Sequence, residues 1–161
     1  MPCVYNSEIK FFKEKKTMKK YPTFSMTVFL VALLMLSACV SNSNNLAGTS
    51  WKLASYGPVS APIPAAPGVE TMLTFGTDGK LSGNLGCNIM GGDYKVNNQN
   101  IVFGSVYGTE MACLDESGMS QESFAFQVLQ GTVGFQINSN TLTITSANGN
   151  NVLIFTEITK P

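Results

Sequence analysis

The chain has 161 residues, ten lysines, no arginine and no histidine, and its formal net charge of zero is unevenly placed. Six lysines precede residue 39, whereas beyond it Lys52, Lys80, Lys95 and Lys160 face eight carboxylates, a net −4. An acidic stretch without arginine lacks the basic patch that phosphate backbones need, which argues against nucleic acid, and the lack of histidine removes the commonest general base and metal ligand together.

Residues 1–17 are polar and end in FFKEKKT, an unusually long leader ahead of an apolar run, so translation is expected to begin at Met18. Residues 18–38 read as an export signal, with Lys19 and Lys20, an apolar run Met26–Leu36, then Ser37 and Ala38 before Cys39. The run is too short to cross a bilayer, which takes about 20 residues, and matches the roughly 7 to 15 of a secretory signal. The lysines before it keep its N-terminal end cytoplasmic. Leu36-Ser37-Ala38-Cys39 resembles a lipobox, so Cys39 is the expected lipid attachment site and the first residue after cleavage. Two acyl chains anchor stably where one binds only reversibly. The expected location is therefore the cell envelope, on a membrane through the lipid anchor; in a cell with two membranes this is the outer one, facing the periplasm. Residues 39–45 form a short polar tether.

Residues 46–160 are the expected folded domain, and their dominant signal is period two. Thr141, Leu142, Thr143, Ile144 and Thr145 alternate strictly, as in a half-buried antiparallel strand. Further strands are expected at Trp51–Tyr56, Thr71–Phe75, Lys80–Leu85, Tyr94–Val96, Ile101–Phe103, Val133–Ile137 and Val152–Thr156. The sequences GTDGK, NNQN, NSN and ANGNN between them suit tight turns, since glycine and asparagine tolerate positive φ. Residues 57–68, GPVSAPIPAAPG, hold four prolines that cannot donate to a ladder and read as a stiff exposed loop, either a passive connector or a recognition rim. From Ser117 to Gln130, Gln121, Phe124, Ala125, Val128 and Leu129 fall at helical spacing. Asp115, Glu116 and Glu122 near the start of that helix meet the positive end of its dipole, and Gly131 is placed to end it. The expected fold class is mainly β: a small antiparallel barrel or sandwich meander with one α-helix.

The segments GNLGCNIMGGDY (Gly83–Tyr94) and TEMAC (Thr109–Cys113) stand in an order that resembles the META domain family, which includes the heat-inducible HslJ-like lipoproteins. LAGTSWKLASY near the start, MLTFGTDGKLSG before the first motif and the late LTI and VLIF strands extend the likeness from Leu46 to Ile158. Met90 departs from it, standing where an aromatic residue is expected. The resemblance implies a barrel of lipocalin-like topology with about eight strands and one helix near residues 117–130, an envelope location, and links to stress or drug tolerance in some members. It brings no catalytic residue.

With Cys3 and Cys39 set aside, an exported domain with one remaining cysteine pair is normally oxidised, so Cys87 and Cys113 are expected to form a disulfide. A catalytic thiol or metal site would need a histidine or a CxxC spacing, and neither is present. Gly83, Gly86, Gly91 and Gly92 lack the lysine and helix of a phosphate loop and read as bends or bulges. Asp78, Asp93, Asp115 and Glu116 have sufficient local roles in turns and at the helix start. Asn88, Thr109 and Glu110 face a common surface site near the disulfide, or else satisfy backbone hydrogen bonds there. Trp51, Phe75, Phe103, Phe135 and Phe155 are expected to fill the barrel rather than line a cavity.

The functional expectation is a non-enzymatic envelope lipoprotein without cofactor, metal or catalytic residue. Its partners would be the membrane and either an envelope protein or a small ligand, with stress as a suggested setting. The alternative is a small-molecule or peptide-binding module using the barrel mouth or the Pro-rich loop 57–68. A third reading, a hydrolase built on carboxylates, requires two acids in one cleft.

Overall fold

The computed structural model describes residues 45–159. The expectations for residues 1–17, the signal 18–38 and Cys39 lie outside the described residues, and of the tether 39–45 only Asn45 falls within them.

Alternation of apolar and polar residues sets the strands. Among the described residues they are β1 (Thr49–Pro58), β2 (Ile63–Pro64), β3 (Met72–Phe75), β4 (Lys80–Asn84), β5 (Ile89–Asn97), β6 (Asn100–Phe103), β7 (Tyr107–Gly108), β8 (Thr132–Asn138), β9 (Thr141–Thr145) and β10 (Asn151–Glu157), with the helix α1 (Glu116–Val128) between β7 and β8. In β9, Leu142 and Ile144 are fully buried while the three threonines are half-buried.

Eight of these strands form a closed ring in the order β1-β3-β4-β5-β6-β8-β9-β10, and β10 returns to pair with β1. Every pairing is antiparallel and each neighbour is the next barrel strand along the chain, which is an up-and-down meander. Closure leaves no free edges around the ring. On β1 the register against β10 slips between Leu53 and Ser55, a bulge that bends the strand.

Two short strands lie beyond the ring and refine the sequence reading. The Pro-rich loop is not wholly irregular, because Ile63 and Pro64 pair with Tyr56 and Ser55 of β1. Pro64 can sit there because β2 is an edge. The glycines of the first motif are mostly not bends: Gly83 lies in β4, and Gly91 and Gly92 lie in β5, leaving Gly86 in the loop. β5 therefore starts five residues before the expected Tyr94. Gly91 belongs in that strand because the Tyr107 ring crosses its backbone, within 3.0 Å of where a Cβ would stand.

The barrel has two unlike poles. The chain enters at the first, the tether pole, beside the β3–β4, β5–β6 and β8–β9 turns and the end of β10. The opposite helix pole gathers the Pro-rich loop, the β4–β5 loop, the long β6–β8 connection and the β9–β10 turn. Helix α1 lies across this second pole and buries Gln121, Ala125 and Val128, with Leu129 just beyond it. Between the poles, Trp51, Phe75, Phe155, Leu73, Leu142 and Leu153 are almost wholly excluded from solvent and fill the interior. Met90, the departure from the family pattern, is also a core residue at 3% exposure.

Truncating Leu153 to alanine should remove about 2 to 5 kcal/mol of stability, because a closed barrel cannot collapse around the void. Chemical denaturation of the Leu153→Ala variant checks this, and a loss below 1 kcal/mol would mean that the interior is loosely packed.

Candidate functional site

The two sequence motifs meet at the helix pole. Cys87, in the β4–β5 loop, and Cys113, before α1, form a disulfide with Cα atoms 6.2 Å apart, 26 residues apart in sequence. Beside it Asn88 bridges three segments. Its Nδ2 donates to Glu122 Oε1 at 2.7 Å, and its Oδ1 accepts from the Met111 amide at 2.8 Å and the Thr109 hydroxyl at 2.9 Å. Thr109 also closes onto β5: its Oγ1 accepts from the Ile89 amide at 3.2 Å, and its own amide donates to the Ile89 carbonyl at 3.0 Å.

Glu122 is the charge at the centre of this junction, only 8% exposed. Its carboxylate accepts from the Cys87 and Asn88 amides as well as from Asn88 Nδ2. Hydrogen bonds to an ionised acceptor are roughly twice as strong as neutral ones. They hold the loop and the helix in a single arrangement. The neighbouring Gln121 is wholly buried and spans the pole, with Nε2 donating to the Leu85 carbonyl at 2.7 Å and Oε1 accepting from the Ala66 amide at 2.6 Å. Glycine is required at 86 because a Cβ there would collide with the Gly118 carbonyl and Glu122 Cβ. Absence of a side chain thus lets the helix lie directly on the loop.

The helix begins where Asp115 caps it, its carboxylate accepting from the Ser117 and Gly118 amides at 3.1 Å each. The Ser117 hydroxyl is the largest cause holding the Asp115 carboxyl below the usual aspartate range; partial desolvation opposes it, and the Gly118 and Ser117 amides add to it.

Of the three residues assigned to a common surface site, Asn88 and Thr109 do converge, while Glu110 is exposed and takes no part in the network. The bonds made by Asn88 and Thr109 are internal, and every buried side-chain polar atom of the described residues has a partner. Sequence reading missed the two residues that organise the site. Gln121 looked like the edge of an apolar stripe and Glu122 like a charge for the helix dipole. The usable signal was Ala125 three and four residues further on, which places both on the buried side of the helix.

The remaining carboxylates have local partners. Asp93 pairs with the Lys80 ammonium, and Asp78 accepts from the Lys80 amide at 3.1 Å, both in an open groove of about 520 Å³ at the tether pole. The Asp93 hydrogen bond raises the pKa of exposed Lys80. A larger open groove, about 710 Å³, crosses the outer face of β1, β3 and β4, with Met72, Ile89 and Ile158 as apolar walls and Lys52 and Glu70 at its sides.

A closed meander barrel with a helical lid, its lid sewn to a hairpin loop by a disulfide and a buried carboxylate, defines a compact class of β-domain. The META domain model matches residues 44–158, and the chain belongs to that family. The fold is similar to that of a protein from Burkholderia xenovorans solved by NMR, at 25% identity over 74% of this chain and 88% of the other, with a TM-score of 0.63. A second NMR structure aligns at 20% identity over 69% and 90% of the two chains, with a TM-score of 0.55. A DUF4847 family protein from Bacteroides vulgatus shares the fold at 12% identity, a TM-score of 0.52, and 74% and 99% coverage. No curated protein matches.

Glu122→Ala strands three donors at a buried junction and should cost about 2 to 4 kcal/mol in urea denaturation, whereas Glu110→Ala should stay within about 0.5 kcal/mol. Equal effects would show that the Glu122 junction carries no stability. The depressed pKa of Asp115 means that its contribution is complete above the ordinary aspartate range and disappears as pH falls through the lowered value. Asp115→Ala should therefore lower the thermal midpoint at neutral pH, and that gap should close on acidification; a gap constant down to strongly acid pH would refute the assignment.

Proposed function

We propose that this META domain protein is a non-enzymatic, lipid-anchored lipoprotein of the cell envelope that works through contact of its surface with other envelope components, in a setting of envelope stress. The observation that carries this reading is the condition of the paired motifs. The hydrogen-bonding capacity of Asn88 and Thr109 is committed to Glu122, Met111 and Ile89, so the residues that distinguish the family build the fold. The lipobox-like Leu36–Cys39 supports anchoring, and the disulfide suits an oxidising compartment.

A second reading, a small-molecule or peptide-binding module, draws support from the open groove walled by Met72, Ile89 and Ile158. It gains nothing from the barrel interior, which aromatic and aliphatic side chains fill, nor from the mouth that α1 covers.

Metabolic labelling with an alkyne fatty acid, followed by membrane fractionation, should place the label on the native chain and in the membrane fraction. Cys39→Ser should abolish both. Unlabelled native protein in the soluble fraction would reject the anchored reading.

A further inference from the structure

Five large apolar side chains stand in water at the helix pole. Leu114 is fully exposed, and Tyr107, Ile89, Met111 and Met119 are 66%, 62%, 53% and 47% exposed. They sit on segments that the junction holds in place. Ile89 and Thr109 exchange hydrogen bonds, the Met111 amide is bound to Asn88, Leu114 follows the disulfide, and Met119 belongs to the first turn of α1. Apolar groups fixed in solvent by a rigid frame are the usual mark of an interaction surface.

The charge on the segment from Glu110 to Met119 has one sign, and Lys52 shares only the groove with Ile89 and Glu70. Glu110, Asp115 and Glu116 lie on the same connection, and Glu70 follows Val69, which packs against Gly118. No lysine occurs between Lys95 and Lys160, while Lys80 and Lys95 stand near the tether-pole turns of β4 and β5. The molecule is thus polarised, with an acidic and apolar helix pole.

We propose that this pole is a docking surface for a protein segment that is cationic and apolar on one face. Leu114, Met111 and Tyr107 supply apolar anchors, and the surrounding carboxylates select lysine and arginine and steer the approach. An anionic lipid surface and a second copy of this chain would both meet charge repulsion here. The direction of presentation rests on the lipid-anchored reading. Cys39 lies seven residues before Leu46, a reach of at most about 25 Å, and Leu46 joins the barrel at the other pole. On that reading the chain joins the anchor to the barrel at the pole opposite the patch.

The test uses the full chain in nanodiscs of zwitterionic lipid, with a short fluorescent lysine–leucine amphipathic peptide as probe and empty discs subtracted. Binding should weaken with salt, and about tenfold both in Met111→Ser/Leu114→Ser and in Glu110→Lys/Glu116→Lys. Val96→Ser at the tether pole should bind as the native chain does, and far-ultraviolet circular dichroism should show all variants folded. Unchanged affinity in the helix-pole variants, equal loss in Val96→Ser, or tighter binding of a glutamate–leucine peptide would overturn the proposal. So would Leu114-dependent binding to anionic vesicles, which identifies a lipid surface, or Leu114-dependent self-association, which identifies a second copy. Peptide binding does not require the acyl chains, so its failure is distinct from failure of fatty-acid labelling at Cys39.

Discussion

A carboxylate removed from water costs several kcal/mol unless its charge is met by partners, and Glu122 is met by three N–H donors from the Cys87–Asn88 segment. Those donors are oriented correctly only if the β4–β5 loop takes one conformation, and only glycine at 86 lets the helix come close enough to deliver the carboxylate. Asn88, fixed in turn, reaches out to Thr109 and Met111 and sets the segment that carries Cys113. The disulfide then closes a loop already held by hydrogen bonds. In the chain-entropy picture it contributes on the order of 3 to 4 kcal/mol for a loop of this size, a large share for a small domain.

This junction divides the labour between the ends of the barrel. At the tether pole the turns are short, and the exposed Lys80–Asp93 pair, at a solvent-screened position, adds little to stability. At the helix pole the lid seals the interior and consumes the polar groups of both motifs. What is left on the surface there is apolar and acidic. A filled core and internally satisfied motif residues leave a surface shape and a charge pattern, and the proposal of a role in surface contact rests on these.

The periodicity of the chain foretold the eight barrel strands and the helix, because a two-residue repeat facing one core leaves a plain trace in Leu142, Ile144 and their like. The disulfide was legible from cysteine parity together with the expectation of export, and Asn88 and Thr109 were legible as neighbours of it. The early start of β5 was hidden by Gly91 and Gly92, which resemble turn residues until the Tyr107 ring crossing the first and the Ser105–Val106 segment crowding the second explain them. Gln121 and Glu122 were hidden for a related reason. A polar residue at the margin of an apolar stripe gives no local sign of what it bonds when its partners lie 34 to 55 residues away in the chain.

By itself the sequence determined the class of fold, the pairing of Cys87 with Cys113 and the family, since these follow from local alternation, cysteine parity and short ordered motifs. Only the tertiary structure decided that the barrel closes through β1 and β10, that α1 lids one pole, and that a buried glutamate rather than the exposed Glu110 organises the motif site. Closure, burial and convergence depend on which distant segments meet, and that information arises only when the core is packed.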